Sequence, residues 1–210
     1  MLGYDHPNTL LSVTSLALDL GALGEYERAR QLDEDTLTRK RRVLGEDHPD
    51  TLSSINNLAT DLRALGEYER ARQLDENTLT HRRRVLGENH PDTLASAHNL
   101  ALNLSALGEH DRARQLQEDT LTRFRRVLGE NHPETLRSAS NLAAGLRERG
   151  AYERAAQLDE DILTRRRRVL GEDHPDTLVS VNNLAADLRE LGEHERARQL
   201  EEHVRPQRGS

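Results

Sequence analysis

Ten histidines, 37 carboxylates and 30 basic side chains are spread over 210 residues, and their spacing decides what chemistry they could carry. Five of the histidines recur as His6-Pro7, His48-Pro49, His90-Pro91, His132-Pro133 and His174-Pro175, one every 42 residues. Shared metal ligation would require equivalent side chains to meet an ion at about 2 Å, whereas packed helices hold equivalent positions about 8–10 Å apart. With no His-Glu-x-x-His segment and no close His/Asp cluster, these residues read as helix starts, and no metal or other cofactor is expected. Catalysis finds no footing either. There is no cysteine, no Gly-x-Ser-x-Gly segment and no glycine-rich phosphate loop, and the carboxylates repeat on regular polar faces. No catalytic residue is assigned, and the chain is read as non-enzymatic.

The basic runs Arg39-Lys40-Arg41-Arg42 and Arg165-Arg166-Arg167-Arg168 resemble nucleic-acid patches. They recur at expected helix ends, where cations complement the dipole, and the whole chain carries a net charge of −7. Solvated helix ends are therefore the preferred reading, and neither nucleic acid nor an anionic membrane surface is an expected partner.

The amides form a different pattern. Asn57, Asn99, Asn141 and Asn183 occupy one column of the repeat, with Ser15 in the first copy. An amide offers donors and an acceptor together, the pair needed to hold a peptide backbone. Beside them, four columns vary widely: Leu11, Ser53, Ala95, Arg137 and Val179; Thr14, Asn56, His98, Ser140 and Asn182; Leu18, Thr60, Leu102, Ala144 and Ala186; Gly21, Arg63, Ser105, Arg147 and Arg189. Their spacing of 3, 4 and 3 places them on one stripe of a helix. A face that is merely solvated would stay polar, yet this one accepts leucine and valine. Fixed amides beside variable side chains suit a surface that holds a backbone generically and reads side chains individually.

The elements that must position these residues follow from the 42-residue period, which recurs five times and marks a solenoid in which each unit buries its apolar face against its neighbours. Within the second unit, Leu52, Ile55, Leu58, Ala59, Leu62 and Leu65 make the stripe of a first helix. Pro49 suits its opening turn and Gly66 its C-terminal cap. A second helix carries Tyr68, Ala71, Leu74, Thr78 and Leu79 inward and ends before Gly87. Asp35–Arg39, Asp119–Arg123 and Asp161–Arg165 are i,i+4 pairs on it, replaced together by Asn77 and His81 in the second copy. The predicted fold is all-α, with units at about 3–44, 45–86, 87–128, 129–170 and 171–205 forming one solenoid over 1–205. Residues 206–210 are expected to be a tail outside it, the last helix stopping near Val204-Arg205-Pro206.

The string Asn57-Leu58-Ala59…Leu62…Gly66-Glu67-Tyr68…Ala71 resembles the tetratricopeptide repeat, over essentially the whole chain. The longer unit and its Gly-Glu-Asp-His-Pro-Asp-Thr-Leu connector are similar to the variety seen in kinesin light chains and in sensor regions of signalling NTPases. Asp75 departs from the pattern, where an aromatic is usual, and Leu74 is expected to take over its packing. The resemblance implies a right-handed α-solenoid of helix-turn-helix repeats, non-catalytic, that binds peptide segments in a concave groove lined by first helices. It places Asn57, Asn99, Asn141 and Asn183 in that groove as backbone clamps, with Asn56, His98, Leu102 and Asn182 beside them. Arg63, Arg137, Arg147 and Arg189 become anion-reading positions, and a ligand would set apolar residues toward the amino-terminal half and acidic ones toward the carboxy-terminal half.

The expected partner is therefore a protein or peptide. Alternative functions are a sensor or autoinhibitory segment of a larger signalling NTPase, or a scaffold that self-associates end to end. Neither terminus resembles a polar capping repeat, so a section of a longer array is expected. The opening Met1-Leu2-Gly3-Tyr4-Asp5 has no signal-peptide character and no apolar run approaches the ~20 residues of a membrane span; a cytoplasmic location is expected.

Overall fold

Each His-Pro dipeptide starts a helix. In a computed structural model, which describes residues 3–202, the histidine is the N-cap in extended conformation and its Nδ1 accepts from the backbone N–H two residues on, as in His48 to Asp50 at 3.1 Å. The same cap recurs at His6, His90, His132 and His174. Proline follows at the first helical position, where its missing N–H leaves nothing unpaired. The first helices of the five repeats are α1 (Pro7–Ala22), α3 (Pro49–Ala64), α5 (Pro91–Ala106), α7 (Pro133–Glu148) and α9 (Pro175–Glu190). The second helices are α2 (Tyr26–Leu44), α4 (Tyr68–Leu86), α6 (His110–Leu128), α8 (Tyr152–Leu170) and α10 (His194–Glu202). Among the described residues there is no strand.

The turn inside each hairpin is fixed by hydrogen bonds to the orphan carbonyls at a helix end. Gly66 adopts φ 78°, which places the Glu67 N–H 2.8 Å from the Leu62 carbonyl and the Gly66 N–H 3.0 Å from that of Arg63. Both bonds belong to a Schellman cap, and the left-handed residue that makes them possible favours glycine. The tail expected at residues 206–210, and the helix end expected near Val204-Arg205-Pro206, lie outside the described residues.

Two compact units divide the chain after Leu116, within α6. In the first, α1 to α5 pack each against the next. Leu37 of α2 joins Leu52, Ile55, Leu58, Ala59 and Leu62 of α3 and Ala71 of α4 in one cluster, and Leu79, Ala97, Leu100, Leu104 and Ala113 make the next. In the second, α7 to α10 do the same, with Leu121, Ala139, Leu142, Leu146, Ala155 and Ile162 followed by Leu163, Val181, Leu184, Ala185, Leu188 and Ala197. Each cluster draws on consecutive repeats, so burial of apolar area, at about 25 cal/mol per Å², couples neighbours. Leu74 packs against this core from its edge. The invariant Arg70 and Glu76 columns are an ion-pair ladder on the second helices: Arg70 reaches Glu34 at 3.1 Å and Arg154 reaches Glu118 at 3.3 Å. These pairs are exposed and worth about 0.2–1 kcal/mol each.

Candidate functional site

The variable stripe and the amide column share one face of the first helices, and in the first unit that face opens into a cavity of about 350 Å³. Leu10, Leu11 and Leu18 of α1, Val43 and Leu44 at the end of α2, and Asn57 of α3 line it, with Thr14, Lys40, Asp50 and Ser53 as further polar members of its wall. Leu11 is 65% exposed and Leu18 54%. Asn57, Asn99 and Asn183 are half-buried, and among the described residues no protein group bonds their amides. Asn141 is half-buried and has a partner of its own. Half-buried and unbonded within the protein, the other three amides keep their donors and acceptor available on the surface.

The other candidate residues occupy varied settings. Asn56 is half-buried and, with its amide oxygen turned toward α4, accepts from Arg82 at 2.8 Å. His98 is buried, Leu102 half-buried and Asn182 exposed. The four arginines all face acids of their own chain. Arg137 pairs with Glu134 one turn away. Arg189 reaches Glu201 at 2.5 Å. Arg63 is pulled down in pKa by desolvation and is held charged by Asp75. Arg147 donates to Asp159 at 2.6 Å and to Asp187 at 2.5 Å, both acids being almost fully buried. Of the four, Arg137 and Arg189 are exposed, each paired with a glutamate of its own chain.

Behind this face lies a set of buried polar residues that spacing alone did not reveal. Asp33, Asp75 and Asp159 occupy one column of the second helices and are at most 1% exposed. Two turns later stand Lys40, Arg82 and Arg166, also buried. Each of these cations crosses to the invariant serine of the next first helix: Lys40 to Ser54 at 2.8 Å, Arg82 to Ser96 at 2.9 Å, Arg166 to Ser180 at 2.8 Å. The basic runs are thus not wholly solvated helix ends, since one member of each is an inter-repeat tie. In the third repeat Gln117 replaces the acid and Phe124 the cation, leaving the Ser138 hydroxyl without a partner. That joint change was readable in the sequence as an i,i+7 correlation.

Opposite the acid column, the next first helix presents Asp61, Asn103, Gly145 and Asp187. Asn103 donates to Asp75 at 2.7 Å. Burial drives Asp75 up to about 7, with Arg63 and Asn103 pulling it back. Burial likewise raises Asp159 to about 7 against the pull of Arg147. Asp33 and Asp61 have neither device. Burial lifts Asp33 to about 7, the charge of Asp61 adding to the effect and that of Lys40 opposing it, and burial lifts Asp61 to about 6.

Among the described residues no group of three or more His, Cys, Asp or Glu is placed to hold a metal ion, and no helix is long and apolar enough to cross a membrane. No curated protein matches the chain. Solved structures similar to it include a putative kinesin light chain from Podosopora anserina with nearly identical TPR-like repeats, at 30% identity over 95% of both chains with a TM-score of 0.79. A form of that protein carrying one substitution has 28% identity over 98% of this chain and 96% of that one, with a TM-score of 0.81. BtubC from P. vanneervenii shares the fold at 21% identity, covering 97% of this chain and 85% of that one, with a TM-score of 0.80. The tetratricopeptide repeat profile matches residues 8–76, 53–125, 96–167 and 140–208. Helix-pair period, cap chemistry and inter-repeat packing agree with that match: the chain belongs to the tetratricopeptide repeat family, whose repeats form protein-interaction scaffolds.

Proposed function

We propose that the first-helix face binds a segment of a partner protein as a peptide, its backbone held by the asparagine column. The observation that carries this reading is the pairing of unbonded, half-buried amides with an open apolar cavity: Asn57 stands at the edge of the space lined by Leu11 and Leu18. An apolar ligand side chain would enter that cavity while the amide exchanged two hydrogen bonds with the backbone beside it. Exposed Arg137 and Arg189 would read acidic ligand residues in the second unit. A structure of similar fold, the Rap conjugation gene regulator of plasmid pLS20, is described in complex with the Phr* peptide (14% identity, 89% of this chain and 49% of that one, TM-score 0.71). A peptide-array screen followed by fluorescence anisotropy tests the reading. The double substitution Asn57→Ala with Asn99→Ala should weaken the best binder by about 1 kcal/mol or more per lost bond while leaving the free protein's melting temperature unchanged. If the free protein melts lower, the asparagines serve the fold and not a ligand.

A further inference from the structure

The repeat supplies its own comparison for the Asp33–Asp61 site. In the second unit, the same two positions are Asp159 and Asp187, and Arg147 of the preceding first helix lies across both, donating to each carboxylate. Its side chain remains 24% exposed, so this site opens to solvent. In the first unit the position of Arg147 is taken by Gly21. A Cβ built on Gly21 would lie 3.5 Å from Asp61 Oδ1, an ordinary contact, so the carboxylate faces the space where an arginine side chain would begin. Asp33 is 1% exposed and its Oδ1 has no hydrogen-bond partner, as in Asp75 and Asp159, but whereas their Oδ2 atoms accept from Asn103 and Arg147, that of Asp33 accepts from no protein group among the described residues. Lys40, the nearest cation on α2, is committed to Thr14 at 3.1 Å and Ser54 at 2.8 Å, as Arg166 is to Ser180 in the site that nevertheless holds Arg147. The only charged residue of α1 is Asp19, which is exposed.

We infer that the space above Gly21, between Asp33 and Asp61, is a subsite for the guanidinium of an arginine in the bound peptide. The ligand supplies in trans the group that Arg147 supplies in cis. This rests on the peptide-binding reading and gives it a side-chain specificity. Position on the face agrees: Asp61 follows Asn57 by one helical turn on α3, and Gly21 follows Leu18 by one turn on α1, so the subsite adjoins the apolar cavity. A ligand would therefore place an arginine next to an apolar residue. Arginine suits the site better than lysine because its planar fork can donate to two carboxylates at once, as Arg147 does.

Twelve-residue peptides on an array, screened against the full chain, should be enriched in arginine beside leucine or another aliphatic residue. For the strongest such peptide, replacing arginine by citrulline should weaken binding about tenfold or more, and Asp61→Asn in the protein should cost a similar factor. Gly21→Arg should abolish the arginine preference by filling the subsite, and the free Gly21→Arg protein should melt higher than Gly21→Ala, which shares its gain in helix propensity. Binders without arginine enrichment, or arginine and citrulline peptides of equal affinity, would overturn the subsite while leaving the peptide-binding face intact. A Gly21→Arg protein no more stable than Gly21→Ala would overturn it without reference to any peptide. Failure of every peptide on the array would remove the binding face and this subsite together.

Discussion

Asp61→Asn is expected to stabilise the protein, an unusual outcome for a change at a buried position. Asp61 is 7% exposed and faces Asp33, which is 1% exposed. Its carboxyl is raised from 3.8 to about 6 by burial. A raised acid binds more protons folded than unfolded, so its cost is absent below the unfolded value and grows as pH rises through the window from 3.8 to about 6. At pH 8 a shift of that size is an upper bound of about 3 kcal/mol, and water on the open side of the site reduces it to ~2 kcal/mol. At pH 4 the same arithmetic leaves about 0.5 kcal/mol. The asparagine removes this cost, relieves the repulsion on Asp33 and offers it a donor. Asn103 already shows the geometry, donating to Asp75 at 2.7 Å.

The assay is urea unfolding of both proteins, followed by circular dichroism, at pH 4 and pH 8. The difference in stability should be ~2 kcal/mol at pH 8, about 4–8 °C in melting temperature for a chain of this size, and should nearly vanish at pH 4. A difference that is the same at both pH values would mean that Asp61 is not an electrostatic liability. Destabilisation at pH 8 would refute the reasoning outright.

The opposite is expected at the equivalent site of the second unit, where Arg147→Ala strands Asp159 and Asp187 and should cost about 3–5 kcal/mol in thermal or urea unfolding at pH 8. Arg137→Ala, which removes only an exposed pair with Glu134, should stay within ~0.5 kcal/mol in the same measurement. In the third repeat, Gln117→Asp should destabilise by about 2 kcal/mol because it buries an acid on a helix that carries Phe124 where the others carry a cation, and adding Phe124→Arg should recover part of that loss; a double-mutant cycle with no coupling would dissolve the proposed link between these columns. His48→Ala should cost about 1 kcal/mol by unsatisfying the Asp50 N–H, while His48→Asn should keep the cap and the melting temperature.

The helices and their ends were legible in the sequence because local chemistry determines them. His-Pro supplies an acceptor and a first-turn residue, Gly66 supplies a left-handed conformation, and both act within a few residues of chain. The aliphatic stripe from Leu52 to Leu62 was legible for the same reason, since its period is a property of one helix. The candidate site was legible only as a face. Asn57 and Leu18 could be placed on it from periodicity, but the influence of Asp75 on Arg63 and the bonds of Arg147 to buried acids could not. Both depend on which residues of α4, α8 and α9 oppose these arginines, and three helices from two repeats must be superposed to see them. Asp33, Asp75 and Asp159 were hidden for a further reason: a polar residue in a polar-rich helix reads as solvated until a packed neighbour removes its water.

Variation along the arginine column therefore has a cause inside the protein. Arg147 accompanies two buried acids, Asp159 and Asp187, and Arg63 accompanies Asp75 with Asn103. Cation and acid change together, as expected where an uncompensated buried charge costs several kcal/mol. Gly21 breaks the rule, since it accompanies two acids and brings no cation, leaving only the charge of Lys40 on α2 to act on Asp33. Chance drift in a solvated column would not confine the mismatch to the site that is buried, unbonded and open beside the apolar cavity. The residue that departs from the pattern is thus more informative than those that keep it, because the charge it fails to supply is the one a ligand would have to bring.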